Sequence, residues 1–563
     1  MDMYVRQISR TNKDGSRVRY LQLAHKVRDP ETGKPRDQVL YHFGREDELD
    51  KAQLKRLIKS LSRFLEPEDR ARVEAGLAGL GTDIAARQSL PYGGAYVLDA
   101  LWRRLELDRT LERLLVARAY EVDIERLLFA LVANRALDPR SKLGLERWVG
   151  RRVRIEGLGA VQVHTLYRAM DFLVEHASEI EERVFFSTAT LLNLEVDLIF
   201  FDTTTAYFEM EEEDGEGEGL RRYGRPSKDH RPDLPQVVIG LAVTREGIPV
   251  RCWAWPGNTN DASVVEEVQR DLAGWKLSRV VWVVDAGMAG GPGRRIFQQG
   301  GGQVIVAEPL RSNEKAIQAA LAQPGRFRAL DESLEVKELK VKLPSDGRRF
   351  VLLRNRAQAE RDRGRRERAL ERLEAEIDRL NRGLARREEG HNRAVCQLLS
   401  HPLYGRYVRE LEGGELRIDR AAVRAEERYD GKTLLSTTDP SLTPEEVALG
   451  YKQLAEVERA FRSLKQTLEL RPLYHRLEQR IRAHVLLCWL ALLLIRVMEV
   501  ETGRTWGQMR DELEQLAWLD LRPKDGAIQL TTDLTPEQRK IFKELGIPPP
   551  KRVQSVRLKR EKT

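Results

Sequence analysis

The sequence predicts an α/β protein, and two observations support that prediction. Residues 196–307 contain five apolar runs rich in β-branched and aromatic residues, as buried strands are, with helical patterns between the later runs. The segments on both sides carry leucines at the spacing of amphipathic helices. With 563 residues, the chain is long enough for several folding units.

The first 195 residues are expected to form two parts. Residues 1–45 alternate apolar and polar side chains between turn signals, which predicts a small N-terminal β domain. Residues 46–195 turn to a helical pattern, with apolar stripes that run from Leu101 to Val132. This second part is therefore predicted to be a helical region.

Residues 196–307 are expected to form the first part of the central core. The predicted strands are VDLIFFDTTTAYFEM, PQVVIGLAVT, PVRCWAWP, RVVWVVD and QVIVAE. A helix that begins with Asp261 as its N-cap follows the third strand, and a short helix precedes the fifth. The order strand, strand, strand, helix, strand, helix, strand is that of the ribonuclease-H-like (retroviral-integrase-like) fold. We therefore expect a core of that kind.

Residues 308–443 are expected to be an α+β insertion into this core. An Arg-rich helix over 357–389 carries leucines and an isoleucine at steps of 3 and 4 for only about two heptads, which favours a packed helical hairpin over a long dimer rod. Residues 444–500 then return to the core as helices. The remaining residues 501–563 form a C-terminal region with a basic tail.

The composition excludes several classes of protein. Lys and Arg total 96 against 88 Asp and Glu, a net charge of +8 that is too small for a disordered polyion. Three cysteines (Cys252, Cys396 and Cys488) lie far apart in no CxxC spacing, and the histidines lack zinc-ligand spacing, so we expect a reduced protein without structural zinc. The first residues lack the apolar segment of a signal peptide. The apolar run Val485–Ile495 is shorter than the ~20 residues of a membrane helix, which predicts a buried core helix and no membrane.

Two aspartates end or closely follow predicted core strands. Asp202 stands in LIFFD-TTT and Asp285 in VVWVVD-AGMAG. Chemistry in α/β cores gathers near the carboxyl ends of strands, where side chains face a crevice. Two carboxylates held side by side repel one another and favour a divalent cation such as Mg²⁺ or Mn²⁺. The alternative for each aspartate is a turn or a helix cap.

A third carboxylate lies on the predicted helix GYKQLAEVERAFRSLKQTLEL. Tyr451, Glu458 and Lys465 are seven residues apart, so they share one helix face, which Leu454 and Phe461 make apolar. An acid on an inward apolar face is costly unless a cation or hydrogen bond satisfies it. The pattern therefore predicts an inward Glu458.

Two neighbours bear on this prediction. Glu456 lies roughly on the opposite face and is expected to be the solvated acid of this helix. The alternative for Glu458 is an ion pair with Arg462 at i+4, worth only a few tenths of a kcal/mol. Because Asp202 and Asp285 are predicted beside it, we favour a role of Glu458 in the site over the ion pair.

These residues resemble the DDE transposases of bacterial insertion sequences. Asp202, Asp285 and Glu458, with the spacing Y-x2-L-x3-E-x6-K, are similar to the group named for insertion sequence four, whose signature is Y-x2-R-x3-E-x6-K. Further segments resemble the branch typified by insertion sequence 1634: YVRQISR, QVLYHFGREDELD, YGRPSKDHRPDLPQVVIGL, PGNTNDAS, VVDAGMAG, the helical insertion and LELRPLYHRLEQRIRAHVLLCWLALLL. Two departures are Leu454, where the signature has Arg, and Asp-Ala-Gly where Asp-Arg-Gly is frequent.

The resemblance implies cut-and-paste transposition by two-metal phosphoryl transfer. The catalytic and metal-binding residues would be Asp202, Asp285 and Glu458, with two Mg²⁺ or Mn²⁺ ions. Tyr451 and Lys465 would hold phosphates of the transposon end, and Arg462 could take over the contact that Leu454 lacks. The insertion would help to hold the cleaved end.

The resemblance also implies partners. These are double-stranded DNA, as terminal inverted repeats and as target, and a second copy of the chain in an end-paired homodimer. Lys228 and Arg231 belong to a basic segment beside the proposed site and are candidates for contact with the DNA backbone. Residues 1–195 are expected to bind ends and pair subunits. The expected location is the bacterial cytoplasm, at the nucleoid.

Two other functions stay open. The Leu454 departure allows an inactive or domesticated DNA-binding protein that keeps the transposase fold. A structure-specific nuclease on the same fold would cleave DNA without joining strands.

Overall fold

We describe the protein from a computed structural model. The structure describes residues 3–11, 17–28, 35–45, 57, 60–61, 64, 85–116, 122–194, 198–215, 219–225, 227–275, 281–284, 302–312, 314–339, 347–386, 391–401, 403–522 and 526–558. The chain divides into two compact units, of which the first comprises Met1–Leu192 with Ser463–Thr563 and the second Asn193–Arg462.

The first unit begins with a three-stranded antiparallel sheet. Its strands are β1 (Met3–Thr11), β2 (Arg17–Arg28) and β3 (Pro35–Arg45), in the order β1-β2-β3. The alternating sequence of these strands favours a sheet, because successive side chains of a strand point to opposite faces. Most of residues 46–84 lie outside the described residues.

A helical bundle follows in the same unit. Strand β4 (Ala85–Pro91) leads into it. The helices are α1 (Gly93–Arg104), α2 (Leu107–Leu115), α3 (Ile124–Leu137), α4 (Lys142–Trp148), α5 (Val163–Glu175) and α6 (Ala177–Leu192). Helix α3 is buried on all sides from Ile124 to Ala136, so it lies at the centre of the bundle.

The second unit is built on one nine-stranded sheet. Its core strands are β5 (Leu198–Tyr207), β6 (Gln236–Val243), β7 (Pro249–Pro256), β8 (Val281–Val284) and β9 (Gln303–Glu308). Strands β5, β6 and β7 pair antiparallel, whereas β8 lies parallel to β5 and β9 parallel to β8. This mixed α/β arrangement, in the order β7-β6-β5-β8-β9, is consistent with the predicted ribonuclease-H-like core.

Helix α7 (Val265–Ala273) covers part of this core sheet. Its buried side chains include Val265, Val268 and Leu272, members of the predicted stripe. Trp253 and Trp255 of β7 stack with their rings 6.2 Å apart and donate to Asp271 and Glu267 of the helix. Hydrophobic packing and two indole hydrogen bonds therefore attach α7 to the sheet.

The insertion extends the same sheet. After α8 (Lys315–Ala322) come β10 (Arg328–Ala329), β11 (Leu334–Leu339) and β12 (Arg349–Asn355). A later strand, β15 (Lys432–Thr437), lies between β9 and β12 and pairs with both. The sheet order therefore continues from the core as β9-β15-β12-β11-β10.

Between β12 and β15 lies a separate hydrophobic cluster. It is formed by α9 (Arg356–Arg386), α10 (His391–Leu399), β13 (Val408–Glu410), β14 (Leu416–Ile418) and α11 (Arg420–Glu427). Leu373, Ile377 and Leu380 of α9 are buried there, at the predicted steps of 3 and 4. The insertion thus combines an extension of the core sheet with a small α+β cluster.

Two helices end the second unit. Helix α12 (Pro444–Lys452) begins with a capping box between Thr443 and Glu446 and a proline at its first position. It contacts β9, β11, β12 and β15. Helix α13 (Ala455–Arg462) contacts β5 and β6.

The C-terminal part belongs to the first unit. A π-helical segment (Ser463–Thr467) is followed by α14 (Glu478–Thr502), α15 (Trp506–Glu514), β16 (Ala517–Arg522), β17 (Gly526–Thr531), α16 (Pro536–Glu544) and β18 (Val553–Leu558). Helix α14 packs against α3 and α5. By length and composition this helix could cross a membrane. However, 89% of its most apolar 18-residue stretch is buried within the protein, as in a core helix.

Three features of this region differ from the sequence prediction. The chain divides at Arg462 and Ser463, so α14 packs with the N-terminal helices, whereas residues 444–500 were expected to return to the core. Strand β4 was not predicted, and it pairs with β16 in the sheet β18-β17-β16-β4. Part of the basic tail, Val553–Leu558, is the strand β18 and pairs with β17.

Candidate active site

Asp202 lies in the middle of β5. The strand has the burial pattern of a core strand, with Asp202 as its partly exposed position between the buried residues Phe201 and Thr203. The side chain is 26% exposed, and its Oδ1 accepts the backbone N–H of Thr203 at 2.7 Å. This hydrogen bond orients the carboxylate at the partly exposed position of an otherwise buried part of the strand.

A lysine from the loop between β5 and β6 reaches this carboxylate. Lys228 donates its backbone N–H to Thr205 Oγ1 at 2.9 Å, which attaches the loop to β5. Its ammonium donates to Thr203 O at 2.8 Å and to Thr203 Oγ1 at 2.9 Å. The same Nζ lies 3.7 Å from Asp202 Oδ1. The structure thus brings together two of the predicted site residues, Asp202 and Lys228.

A second aspartate shares this lysine. Asp261 Oδ1 accepts the hydroxyl of Thr203 at 2.5 Å, and its Oδ2 lies 3.4 Å from Lys228 Nζ. Sequence analysis predicted Asp261 as a helix N-cap, and that prediction is wrong. The residue begins a 3₁₀ turn (Asp261–Ser263), and α7 starts later, at Val265.

The predicted face of the Glu458 helix is also wrong. The chain forms two helices, α12 and α13, with a turn at Gln453 and Leu454 between them. A seven-residue repeat maps to one face only in a continuous helix, so the turn removes the predicted stripe. Glu458 is exposed, while Val457, Ala460 and Phe461 are the buried residues of α13.

The burial of the two acids on α13 is the reverse of the prediction, in which Glu456 is solvated and Glu458 faces inward. Glu456 has a side chain only 18% exposed and pairs with Arg459 at 2.9 Å. Glu458 forms no ion pair with Arg462 among the residues that the structure describes. Both Glu458 and Arg462 are exposed on a helix that packs against β5, the strand of Asp202.

The remaining signature residues lie on separate elements. Tyr451 is half-buried near the end of α12, and a Cβ atom at the preceding Gly450 would lie 3.3 Å from Leu198 of β5 and from Ile305 of β9. Lys465 lies in the π-helical segment of the first unit. The turn at Gln453 and Leu454 therefore separates Tyr451 from the helix of Glu458, and Lys465 lies in the segment that follows that helix directly.

Arg231 folds onto its own loop. Its guanidinium donates to both carboxylate oxygens of Asp233 at 2.8–3.1 Å and lies over the ring of Tyr207, 5.2 Å from the centroid. The hydrogen bond to Asp233 raises the pKa of this guanidinium. Arg231 and Lys228 thus stay beside β5, each in contact with a carboxylate.

Asp285 lies outside the described residues. It follows Val284, the last residue of β8, directly in the sequence. Strand β8 pairs in parallel with the first half of β5, with Phe200 opposite Val283. Within the described residues, no group of three or more His, Cys, Asp or Glu side chains is arranged to hold a metal ion.

A basic groove lies in the insertion. Its volume is about 510 Å³. The lining side chains include Arg311, Arg365, Arg366, Arg368, Arg372, Arg406, Lys432, Tyr404, Tyr407 and Tyr429, together with the acids Asp362, Glu426 and Asp430. Arg366 forms an ion pair with Asp430, so part of the positive charge of this groove is compensated within the protein.

Sequence reasoning missed the residues that surround Asp202. The run Thr203-Thr204-Thr205 was noted only as part of a strand, although two of its hydroxyl groups hold Lys228. The sequence pattern predicts Asp261 only as a helix N-cap, within a segment, PGNTNDAS, that carries the resemblance. A polar run inside a core strand was the available signal, because buried hydroxyl groups require partners.

Comparisons with known proteins place the chain in a family. Residues 5–72 match the family model described as "IS1634 family transposase, N-terminal domain", and residues 216–494 match "Transposase DDE domain". No curated protein matches the sequence. Among solved structures, a match is the "Cryo-EM structure of piggyBac transposase synaptic complex with hairpin DNA", with 9% identity, a TM-score of 0.37, and coverage of 75% of this chain and 80% of that chain.

The two matched ranges follow one another along the chain, and the second contains Asp285 and Glu458, whereas Asp202 lies before it. Both family descriptions agree with the resemblance of the chain to insertion-sequence transposases. An enzyme of this kind acts on DNA, which it cleaves and joins to a new strand. The chain belongs to the IS1634 family of DDE transposases.

Proposed function

We propose that this transposase excises its own insertion sequence and joins it to target DNA at a site formed by Asp202, Asp285 and Glu458. The observation that carries the proposal is the parallel pairing of β5 with β8. Phe200 pairs with Val283, and the two aspartates each come two residues later in the sequence. Helix α13, which carries Glu458, packs against the same strand β5.

The donor set fits a hard divalent cation. The proposed ligands are carboxylates, the oxygen ligands that Mg²⁺ and Mn²⁺ prefer. Asp202 is partly exposed and Glu458 is exposed, so both can exchange water for a metal ion. When bound, two such ions would lower the pKa of an attacking hydroxyl and stabilise charge on the leaving oxygen.

The chain itself contributes orientation. The N–H of Thr203 holds the Asp202 carboxylate, and the buried strand beneath it limits movement. Tyr451, Arg462 and Lys465 are proposed to contact phosphates of the transposon end, as the resemblance implies. Of these, Arg462 is exposed on the same helix as Glu458.

DNA would also contact the insertion. The groove of arginines and tyrosines offers charge for phosphates and aromatic faces for unpaired bases. We propose double-stranded DNA with terminal inverted repeats as the substrate, and a homodimer that holds two ends. A location at the bacterial nucleoid follows from this substrate and is likewise a proposal.

The test is Mg²⁺-dependent cleavage of a DNA fragment that carries the terminal repeats of the element. Asp202→Asn is expected to lose cleavage by more than about 10²-fold, the scale of loss when one preorganised electrostatic group is removed. Its DNA affinity should stay unchanged. Cleavage at the original rate in this variant would contradict the proposal.

A strand-transfer assay separates the other candidates. Joining of the cleaved 3′ end to unrelated target DNA is expected of the transposase. Cleavage without joining would indicate a nuclease, and DNA binding without cleavage would indicate the inactive protein suggested by Leu454.

A further inference from the structure

The surroundings of Asp202 contain a cation that belongs to the protein. The ammonium of Lys228 makes two hydrogen bonds to Thr203, and its distance to Asp202 Oδ1, 3.7 Å, is too long for a hydrogen bond. The lysine side chain is 32% exposed, so it is not fixed by burial. The position of the ammonium therefore depends on the groups that accept its hydrogen bonds.

Asp261 is one of these groups. Its carboxylate lies 3.4 Å from the ammonium and accepts the Thr203 hydroxyl at 2.5 Å. The hydroxyl that donates to Asp261 therefore accepts from Lys228 at the same time. Asp261, Thr203 and Lys228 form a closed triangle of charge-assisted contacts, each stronger than a neutral hydrogen bond.

We propose that Asp261 is a positioning residue that holds Lys228 away from Asp202 and so keeps Asp202 available for a divalent cation. This inference rests on the proposed metal site. An ammonium that paired directly with Asp202 would compete with the metal ion for the same oxygens. Asp261 and the oxygens of Thr203 stabilise the ammonium at a position where it is near Asp202 without hydrogen bonding to it.

The prediction is a change in metal affinity. In Asp261→Asn, the ammonium loses one anionic neighbour, moves onto Asp202 and weakens the binding of Mn²⁺ by roughly 10- to 100-fold, the usual effect of changing a group that supports a metal ligand. In the double variant Asp261→Asn with Lys228→Met, the competing ammonium is absent. Mn²⁺ affinity should then return to within a few-fold of that of Lys228→Met alone.

The experiment measures Mn²⁺ binding to the full-length chain by water-proton relaxation, which requires no turnover. Asp331→Asn is the matched control, because Asp331 likewise accepts from a hydroxyl, Ser333 Oγ at 3.0 Å, and from a lysine, Lys452 Nζ at 3.0 Å. It lies in the insertion part of the same unit. This control should bind Mn²⁺ as the original protein does.

Two outcomes overturn the inference. Equal affinity in Asp261→Asn and Asp331→Asn would show that Asp261 does not support the site. Weak binding that persists in the double variant would show a general structural defect instead of competition by Lys228. If Asp261→Asn does not fold by circular dichroism, Thr203→Val removes the hydroxyl that links Asp261 to Lys228 and should weaken Mn²⁺ binding, and Thr203→Ser should restore it.

The underlying metal site is tested separately. Asp202→Asn should lose Mn²⁺ binding in the same assay. Retained binding in that variant would contradict the proposed function, whereas lost binding there with unchanged binding in Asp261→Asn would contradict only the role of Asp261.

Discussion

At the scale of single residues, sequence reasoning identified Asp202 better than it identified its neighbours. A carboxylate inside an apolar strand is unusual enough to be visible in the sequence, because burial of a charge needs compensation. The compensation comes from the N–H of Thr203 and the nearby ammonium of Lys228, and Asp261, which shares that lysine, is 58 residues away from Thr203 in the chain. Contacts of that separation depend on how strands pair, which a single sequence does not display.

Glu458 shows the opposite case. The sequence pattern predicts Glu458 on the inward face of one continuous helix. The chain instead turns at Gln453 and Leu454, and Glu458 is exposed. Its assignment as a catalytic residue therefore depends on the family signature and on the packing of α13 against β5. This assignment stays a prediction.

Glu458 and Glu456 form a matched pair for its test. Glu458→Gln is expected to lose cleavage by more than about 10²-fold, since it removes a proposed metal ligand. Glu456→Gln changes an acid that pairs with Arg459, an ion pair worth a few tenths of a kcal/mol, and should keep near-original cleavage. Cleavage kinetics on one DNA substrate compare the two, and equal losses would contradict the assignment.

At the scale of elements, the strands of the core were the most predictable part. Their apolar runs are long, and β5, β6, β7, β8 and β9 all fall within the predicted segments. Strand β4 was missed because its sequence, AARQSLP, has few apolar residues and no alternation. Its pairing with β16 from the far end of the chain stabilises it instead.

Helix α12 depends on a glycine for its approach to the sheet. A Cβ atom at Gly450 would lie 3.3 Å from both Leu198 and Ile305, which is a tight contact. Gly450→Val should therefore force α12 away from the sheet and lower the free energy of unfolding by about 1–3 kcal/mol. Gly450→Ala is the control, because its gain in helix propensity, about 1 kcal/mol, offsets the tighter contact.

Urea unfolding followed by circular dichroism measures both variants. Because α12 leads directly into the helix of Glu458, Gly450→Val should also reduce cleavage. A valine variant as stable as the alanine variant would show that α12 does not pack against the sheet in this way.

At the scale of the whole molecule, the division into two units was not predictable. The sequence pattern shows that residues 485–495 form a buried helix, and this is confirmed by α14. It does not show what buries that helix, because apolar periodicity carries no information about the partner. The helix packs with α3 and α5 of the N-terminal region, so the first unit is closed by residues from both ends of the chain.

This closure buries a lysine. Lys142 of α4 is 5% exposed, and burial, followed by the nearby Arg135, lowers its pKa from 10.5 to about 7. The folded state therefore favours the neutral amine, while the unfolded chain holds a proton up to about pH 10.5. Between these pH values the unfolded state binds more protons, so the free energy of unfolding increases as the pH rises from 7. The destabilisation of the folded state by Lys142 is therefore largest at pH 7 and below.

Lys142→Met should remove this cost. The variant is expected to be more stable than the original protein by a few kcal/mol at pH 7, with a difference that shrinks toward pH 10. Thermal unfolding at a series of pH values measures the difference. A gain that is the same at pH 7 and pH 10 would contradict the burial of a titrating amine.

The distribution of charge, more than the net +8, fits a DNA enzyme. Residues 209–218 hold seven acids and no Lys or Arg, while arginines line the groove of the insertion. The central claim remains that Asp202 holds a catalytic metal ion, and a change of its metal preference tests this most directly.

The measurement is cleavage by Asp202→Cys in Mg²⁺ and in Mn²⁺. A thiolate is a poor ligand for Mg²⁺ and accepts the softer Mn²⁺ more readily. We predict that the variant is inactive in Mg²⁺ and regains cleavage in Mn²⁺, while the original protein works in both. A folded variant that cleaves equally well in Mg²⁺, or that stays inactive in both ions, would contradict the account.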